Sequence, residues 1–300
     1  MYRYRLMGRG ISGKRTLIQT LAAIVSNGYV AGFVHGTIYT GRLKTVCVPG
    51  LNCYSCPGAL GSCPIGALQS VLASRQFGFS FYALGFLLFF GALWGRFVCG
   101  FLCPFGFIQD LLHRLPGRKL RVASRVDRPL RLLKYALLLF LVILLPMLLN
   151  NSFGFSKPFF CQWVCPAGTL TGGIPLILAN ESLRNSLGFL FSWKMAILIA
   201  VIIGSILIYR PFCKYLCPLG AIYALCNRFS LYRMRVDEHL CIDCGRCERI
   251  CPMQVEVRHN INSPECIRCG RCRGVCPTDA ISGGFAACPA ARPAGRGTTE

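Results

Sequence analysis

CIDCGRCERICP at 241–252 and CIRCGRCRGVCP at 266–277 decide how this chain reads. Each is a complete Cys-x2-Cys-x2-Cys-x3-Cys-Pro run. Three closely spaced thiolates wrap three corners of an iron–sulfur cubane, and the fourth, before proline, reaches across to a second cubane. The spacing predicts two [4Fe–4S] clusters, one on Cys241, Cys244, Cys247 and Cys276, the other on Cys266, Cys269, Cys272 and Cys251. Cys-x2-Cys alone also suits zinc, but a doubled run with both Cys-Pro ends argues for cubanes. Between the runs, NSPE at 262–265 is a turn leading into the second cysteine loop.

Outward from this pair, 236–281 reads as an α+β, bacterial-ferredoxin-like domain. Residues 282–300 (SGGFAACPAARPAGRGTTE) read as a low-complexity, disordered tail in which Cys288 is a bystander. Upstream, residues 1–235 read as an α-helical membrane domain. The chain is 54% hydrophobic and only 15% charged, with a mean hydropathy of +0.51, whereas soluble domains carry about 25% charged residues. The deficit sits in long apolar runs at 77–98, 132–149 and 193–209, each a predicted span. The weaker run from Thr16 to Val34 is read as an uncleaved first helix, in preference to a cleaved signal or a surface-lying helix. The run 174–180 is too short to span and is expected to be re-entrant or interfacial.

With about four transmembrane helices, the Lys and Arg distribution sets the orientation. The 114–134 loop carries eight basic residues, against three each in 38–76 and 154–194. Both termini, the 114–134 loop and the ferredoxin domain are then cytoplasmic in a multi-pass cell-membrane protein. The same placement of charge at the ends of apolar runs accounts for the formal +22 and argues against nucleic-acid binding. Twenty cysteines in short repeated motifs, rather than spread through a small polar chain, exclude a secreted disulfide scaffold.

VCGFLCPFG (98–106), FCQWVCPAG (160–168) and FCKYLCPLG (212–220) form an internal repeat at the edges of apolar segments. Cysteines four apart are expected on one helix face. On the predicted topology, Cys99, Cys103, Cys213 and Cys217 lie at the inner face and are a candidate third cluster site. Cys161 and Cys165, with Cys47, Cys53, Cys56 and Cys63 of CVPGLNCYSCPGALGSCP (47–64), lie at the outer face and are a candidate fourth. The alternatives are buried packing, a redox-active dithiol or copper. Cys226 has no motif and reads as structural. Four scattered histidines do not suit stacked haems, although His35 can face a quinone. There is no P-loop, CxxCH or nucleophile–base arrangement, so no catalytic residue is assigned.

From about residue 40 to 281 the chain resembles the membrane polyferredoxins typified by NapH, NosR and CcoG. The likeness is closest at NCYSCPGALGSCPIGALQ (52–69) and RPFCKYLCPLGAIYAL (210–225). The resemblance implies electron transfer, from quinol toward extracytoplasmic reductases in NapH-type members or onto copper in CcoG-type members. The chain lacks the flavin-binding domain of NosR-type members, so a covalent flavin is not expected. Two readings follow. One is an electron-transfer subunit linking a cytoplasmic donor or the quinone pool to redox partner proteins at the membrane lipid. The other is a metal reductase, or a thiol-redox or assembly factor, that uses the CxxxCP sulfurs.

Overall fold

The computed structural model describes residues 9–73, 80–149, 157–185 and 188–285. The chain is mostly helical. Among the described residues, eight helices of nine or more residues form the first part: α1 (Arg9–Ser26), α2 (Pro64–Ala73), α3 (Ser80–Trp94), α4 (Pro104–Arg114), α5 (Ser124–Leu148), α6 (Pro166–Ala179), α7 (Phe189–Leu207) and α8 (Pro218–Cys226). A small C-terminal module follows, framed by β1 (Tyr232–Val236) and β2 (Ile281–Phe285), which pair antiparallel from Tyr232–Phe285 to Val236–Ile281. The second strand runs through residues 281–285, at the start of the stretch read as tail. The rest of that stretch, 286–300 with Cys288, lies outside the described residues.

Among the described residues, two helices are long and apolar enough to cross a membrane, α5 with 25 residues and α7 with 19. They coincide with the predicted spans at 132–149 and 193–209. The run at 77–98 yields the 15-residue α3, about 22 Å at 1.5 Å per residue. Residues 77–79 of that run fall outside the described set. Its far end stops at Gly95, which takes φ +53°, a left-handed turn open to glycine at little cost. A Cβ there would lie 2.7 Å from Asn227 Oδ1, so the close approach needs glycine twice over. The stretch 174–180 is the distal half of α6, which begins at Pro166 and carries a wide π turn at Thr169–Gly173.

Cys63, Cys99, Cys103, Cys165 and Cys217 sit inside one apolar core with Ile65, Leu87, Phe105, Phe160, Phe212 and Tyr223. The loops rich in cysteine therefore fold into the bundle instead of lying on its ends. A second, smaller core of Tyr209, Met253, Val255 and Ile267 joins the bundle to the C-terminal module. A third, Met234, Val257, Ile261 and Ile281, lies within the module.

Polar contacts fasten the module to the bundle. Glu265 accepts from Arg96 (2.8 Å) and Lys134 (2.5 Å), and Lys214 donates to Gln254 (2.8 Å). Arg268 donates to the Trp94 and Asn227 carbonyls, and Asn227 donates back to the Ser263 and Cys266 carbonyls. Gly100 lies so close to the module that a Cβ would stand 2.5 Å from the Ile267 carbonyl oxygen.

Candidate iron–sulfur centres

In the C-terminal module the two cysteine runs fold alike. Asp243 and Arg268, two residues after the first cysteine of each run, are left-handed at φ 50° and 53°. Gly245 and Gly270 follow at 66° and 75°, and Gln254 and Asp279, three residues past each Cys-Pro cysteine, at 55° and 51°. Such alternation turns successive backbone N–H groups into a concavity that favours an anionic guest. The result is two cavities. One, of about 380 Å³, is lined by Cys241, Cys244, Cys247 and Cys276. The other, of about 390 Å³, is lined by Cys251, Cys266, Cys269 and Cys272. Each is lined by three cysteines of one run and the fourth of the other. Val257 lines both cavities. Burial pushes the Cys266 thiol up to about 12, so this sulfur becomes a thiolate only when a metal replaces the proton.

The membrane-side cysteines gather into two further groups. Cys99, Cys103, Cys213 and Cys217 all lie within electrostatic reach of one another. Cys53, Cys63, Cys161 and Cys165 form the second group. Cys56 neighbours Cys53 and points its thiol at Asn27 Oδ1, while Cys47 is buried at a bridge to Ser62. Cys226 packs against Gly91. His35 is exposed.

Local geometry corrects one expectation. The two cysteines of a CxxxCP motif do not share a helix face. The second is the extended N-cap of the next helix, at ψ 115° in Cys103, 109° in Cys165 and 115° in Cys217, with proline at the first helical position. Proline opens a helix there because its missing N–H would be unpaired anyway. The pair thus straddles a corner and both sulfurs turn inward. The glycine three residues on has its N–H aimed at the cap sulfur, Gly106 to Cys103 and Gly220 to Cys217, each at 3.4 Å. Gly168 and Gly66 stand at the same position after Cys165 and Cys63. The Cys-Pro-x-Gly unit therefore occurs four times, and CPIG at 63–66, the copy without a cysteine four residues upstream, belongs with the other three.

A second difference concerns separation. The segment 47–53 dips into the bundle: the Leu51 N–H reaches Cys103 Sγ at 3.4 Å, and the Tyr223 hydroxyl donates to the Pro49 carbonyl at 2.9 Å. Tyr223 is fully buried and has Cys99, Cys103 and Cys63 in its surroundings. Tyr223 therefore stands between Cys63 of one group and Cys99 and Cys103 of the other.

Buried cations surround the first of these groups. Arg96 and Arg210 each lie three residues before a motif cysteine, and they cross over. Arg96 donates to the Cys213 carbonyl (3.0 Å), and Arg210 donates to the Cys99 carbonyl. Arg210 and Arg15 share Asp110, Arg96 and Lys134 share Glu265, and Lys214 and Arg131 share Asp127. Each set has two cations for one carboxylate, and apart from Arg131 their charged groups are buried. Excess positive charge inside a protein is costly unless an anion answers it. A thiolate-ligated iron–sulfur cluster is such an anion, so this donor set fits one. The repeated Arg-x2-Cys-x3-Cys-Pro-x-Gly string at 96–106 and 210–220 carried that signal in the sequence. Among the described residues, no three His, Cys, Asp or Glu converge on a point for a single metal ion.

Comparison with known proteins gives the same chemistry. A family profile described as a 4Fe–4S binding domain matches at 75–123, 134–178 and 191–236, each match enclosing one CxxxCP motif. Two more 4Fe–4S binding domain profiles match at 233–255 and 259–282. The chain belongs to the NosR- and NapH-like 4Fe–4S family. Among its relatives, the uncharacterized protein MJ0749 of Methanocaldococcus jannaschii is 29% identical over 175 residues, 57% of each chain. The putative electron transport protein YccM of Escherichia coli is 30% identical over 53% of this chain and 42% of its own. The regulatory protein NosR of Pseudomonas aeruginosa is 31% identical over 55% of this chain and 21% of its own. The chain thus spans 57% of the first and under half of the other two. No solved structure matches it. Family membership makes this an iron–sulfur protein.

Proposed function

We propose that this chain is a membrane-anchored electron wire with four [4Fe–4S] sites in a row. In order they are Cys241/Cys244/Cys247/Cys276, Cys251/Cys266/Cys269/Cys272, Cys99/Cys103/Cys213/Cys217 and Cys53/Cys63/Cys161/Cys165. The observation that carries the proposal is the continuity of packing between them. Val257 lies between the first two cavities, Ile267 and Gly100 between the second and third sites, and Tyr223 between the third and fourth. When bound, the clusters supply one-electron storage. The chain's own residues hold the thiolates, keep water out and surround the charge with cations. The proposed topology is multi-pass with about four spans and with both termini and the module cytoplasmic. Electrons pass between a cytoplasmic donor or the quinone pool and a redox partner at or beyond the membrane.

Iron counting with EPR of the reduced, anaerobically purified protein tests this. Four cubanes require about sixteen irons, and two require about eight. A protein with only about eight and no signals beyond those of the module would remove the membrane sites.

The second reading is a metal- or thiol-handling protein, favoured by Cys47 and Cys56, two buried thiols beyond the ring of the fourth site. In Cys161→Ser and Cys165→Ser proteins, metal or thiol turnover lost while quinol still reduces the clusters would support it over a wire that ends at the fourth site.

A further inference from the structure

Gln69 and Gln109 are both six residues past a Cys-Pro cysteine, on the helices that Cys63 and Cys103 open. Both are buried, at 0% and 1% exposure. Gln109 Nε2 donates to Cys213 Sγ at 3.0 Å, and Gln69 Nε2 donates to Cys161 Sγ at 3.3 Å. In each case the recipient is the first cysteine of the opposing CxxxCP motif. The two remaining copies of the unit carry Thr171 and Tyr223 at the same position, so each membrane site receives one such amide.

Packing alone does not explain the amides. Gln109 Oε1 is buried without a hydrogen-bond partner, a costly state that a methionine or leucine of similar size would avoid. Gln69 is tied further, its Oε1 accepting from the backbone N–H of Phe160, next to the sulfur it serves. A thiolate only accepts hydrogen bonds, so a metal-bound Cys213 or Cys161 fixes the amide with its N–H toward sulfur.

We propose that Gln69 and Gln109 are matched sulfur donors that poise the two membrane-side clusters, each raising the reduction potential of its own site. This rests on the reading that those quartets hold clusters. An N–H aimed at a ligand sulfur stabilises the more negative, reduced state, and hydrogen bonds to sulfur are among the levers on cluster potential. Because each amide serves one quartet, the two potentials can be moved separately.

The test uses the full-length protein reconstituted in lipid, with Gln109→Met and Gln69→Met followed by EPR-monitored redox titration. The expected result is full iron content and, for each variant, about a tenfold fall in the reduced-to-oxidised ratio of one membrane-side cluster at fixed potential. For a one-electron couple that is about 59 mV. Wild-type protein labelled with 15N-glutamine gives a check that needs no variant to fold: the reduced cluster should show a 15N hyperfine coupling. Full iron content with unmoved midpoints, or no 15N coupling, would overturn the proposal. An iron content of about eight in the wild type would instead overturn the reading beneath it.

Discussion

Replacing Glu265 with glutamine removes the one carboxylate that Arg96 and Lys134 share at the seam between module and bundle. Burial by itself would raise this carboxyl. Arg96 and Lys134 outweigh it and hold it at about 2 against an ordinary 4.5. That difference corresponds to about 3 kcal/mol of extra stability for the ionised form, which agrees with the roughly 3–5 kcal/mol lost when one partner of a buried ion pair is removed. The side chain is 5% exposed, so solvent screens little of this. At about 1.4 kcal/mol per tenfold, a Glu265→Gln protein should open its module about a hundredfold more often. Limited trypsin digestion in detergent reads that opening, because the module is rich in arginine and cleavage follows the open population. Adding Lys134→Met should recover part of the loss, since the glutamine variant leaves two buried cations facing one another. The sign with pH follows from the depressed value. Below about 4.5 the unfolded chain takes up a proton that the folded one refuses, so the contribution is complete above about 4.5 and fades toward about 2. Equal digestion rates for wild type and Glu265→Gln at pH 7 would refute the reasoning.

Three other outcomes are expected. Gly100→Ala would place a Cβ 2.5 Å from the Ile267 carbonyl oxygen, so module and bundle must part at a cost of about 1–3 kcal/mol, measured as a lower melting temperature. Tyr223→Phe removes the hydroxyl from the Pro49 carbonyl and should cost about 1 kcal/mol, whereas Tyr223→Ala should cost about 3–5 kcal/mol and also slow transfer between the third and fourth sites in flash-reduction kinetics. Removing iron with a chelator should unfold the segment from β1 to β2, seen as lost protease resistance. Its own core is only Met234, Val257, Ile261 and Ile281, too little apolar burial for so short a segment without metal.

The two module cysteine runs were legible because their pattern is local. A Cys-x2-Cys-x2-Cys-x3-Cys-Pro run fixes which sulfurs can share a cubane whatever surrounds it, and the crossover of Cys251 and Cys276 follows from a span too short to turn back. The apolar runs that became α5 and α7 were legible for the same reason, since length and hydropathy are properties of contiguous residues. The corner at each Cys-Pro was half legible: proline announced a break, but that the cysteine caps the next helix depends on a ψ near 110°.

Sequence alone determined the cofactor class, the doubled ferredoxin run and the presence of helices able to cross a membrane. Tertiary structure alone decided how the ten membrane-side cysteines divide. It brought Cys53 and Cys63 to Cys161 and Cys165, dipped the 47–53 segment onto Cys103, and crossed Arg96 with Arg210. The physical reason is distance along the chain. Arg96 and the Cys213 carbonyl are 117 residues apart, and no periodicity or spacing rule reaches that far. Such partners meet only because buried charges and sulfurs must each find a counterpart once helices close around them.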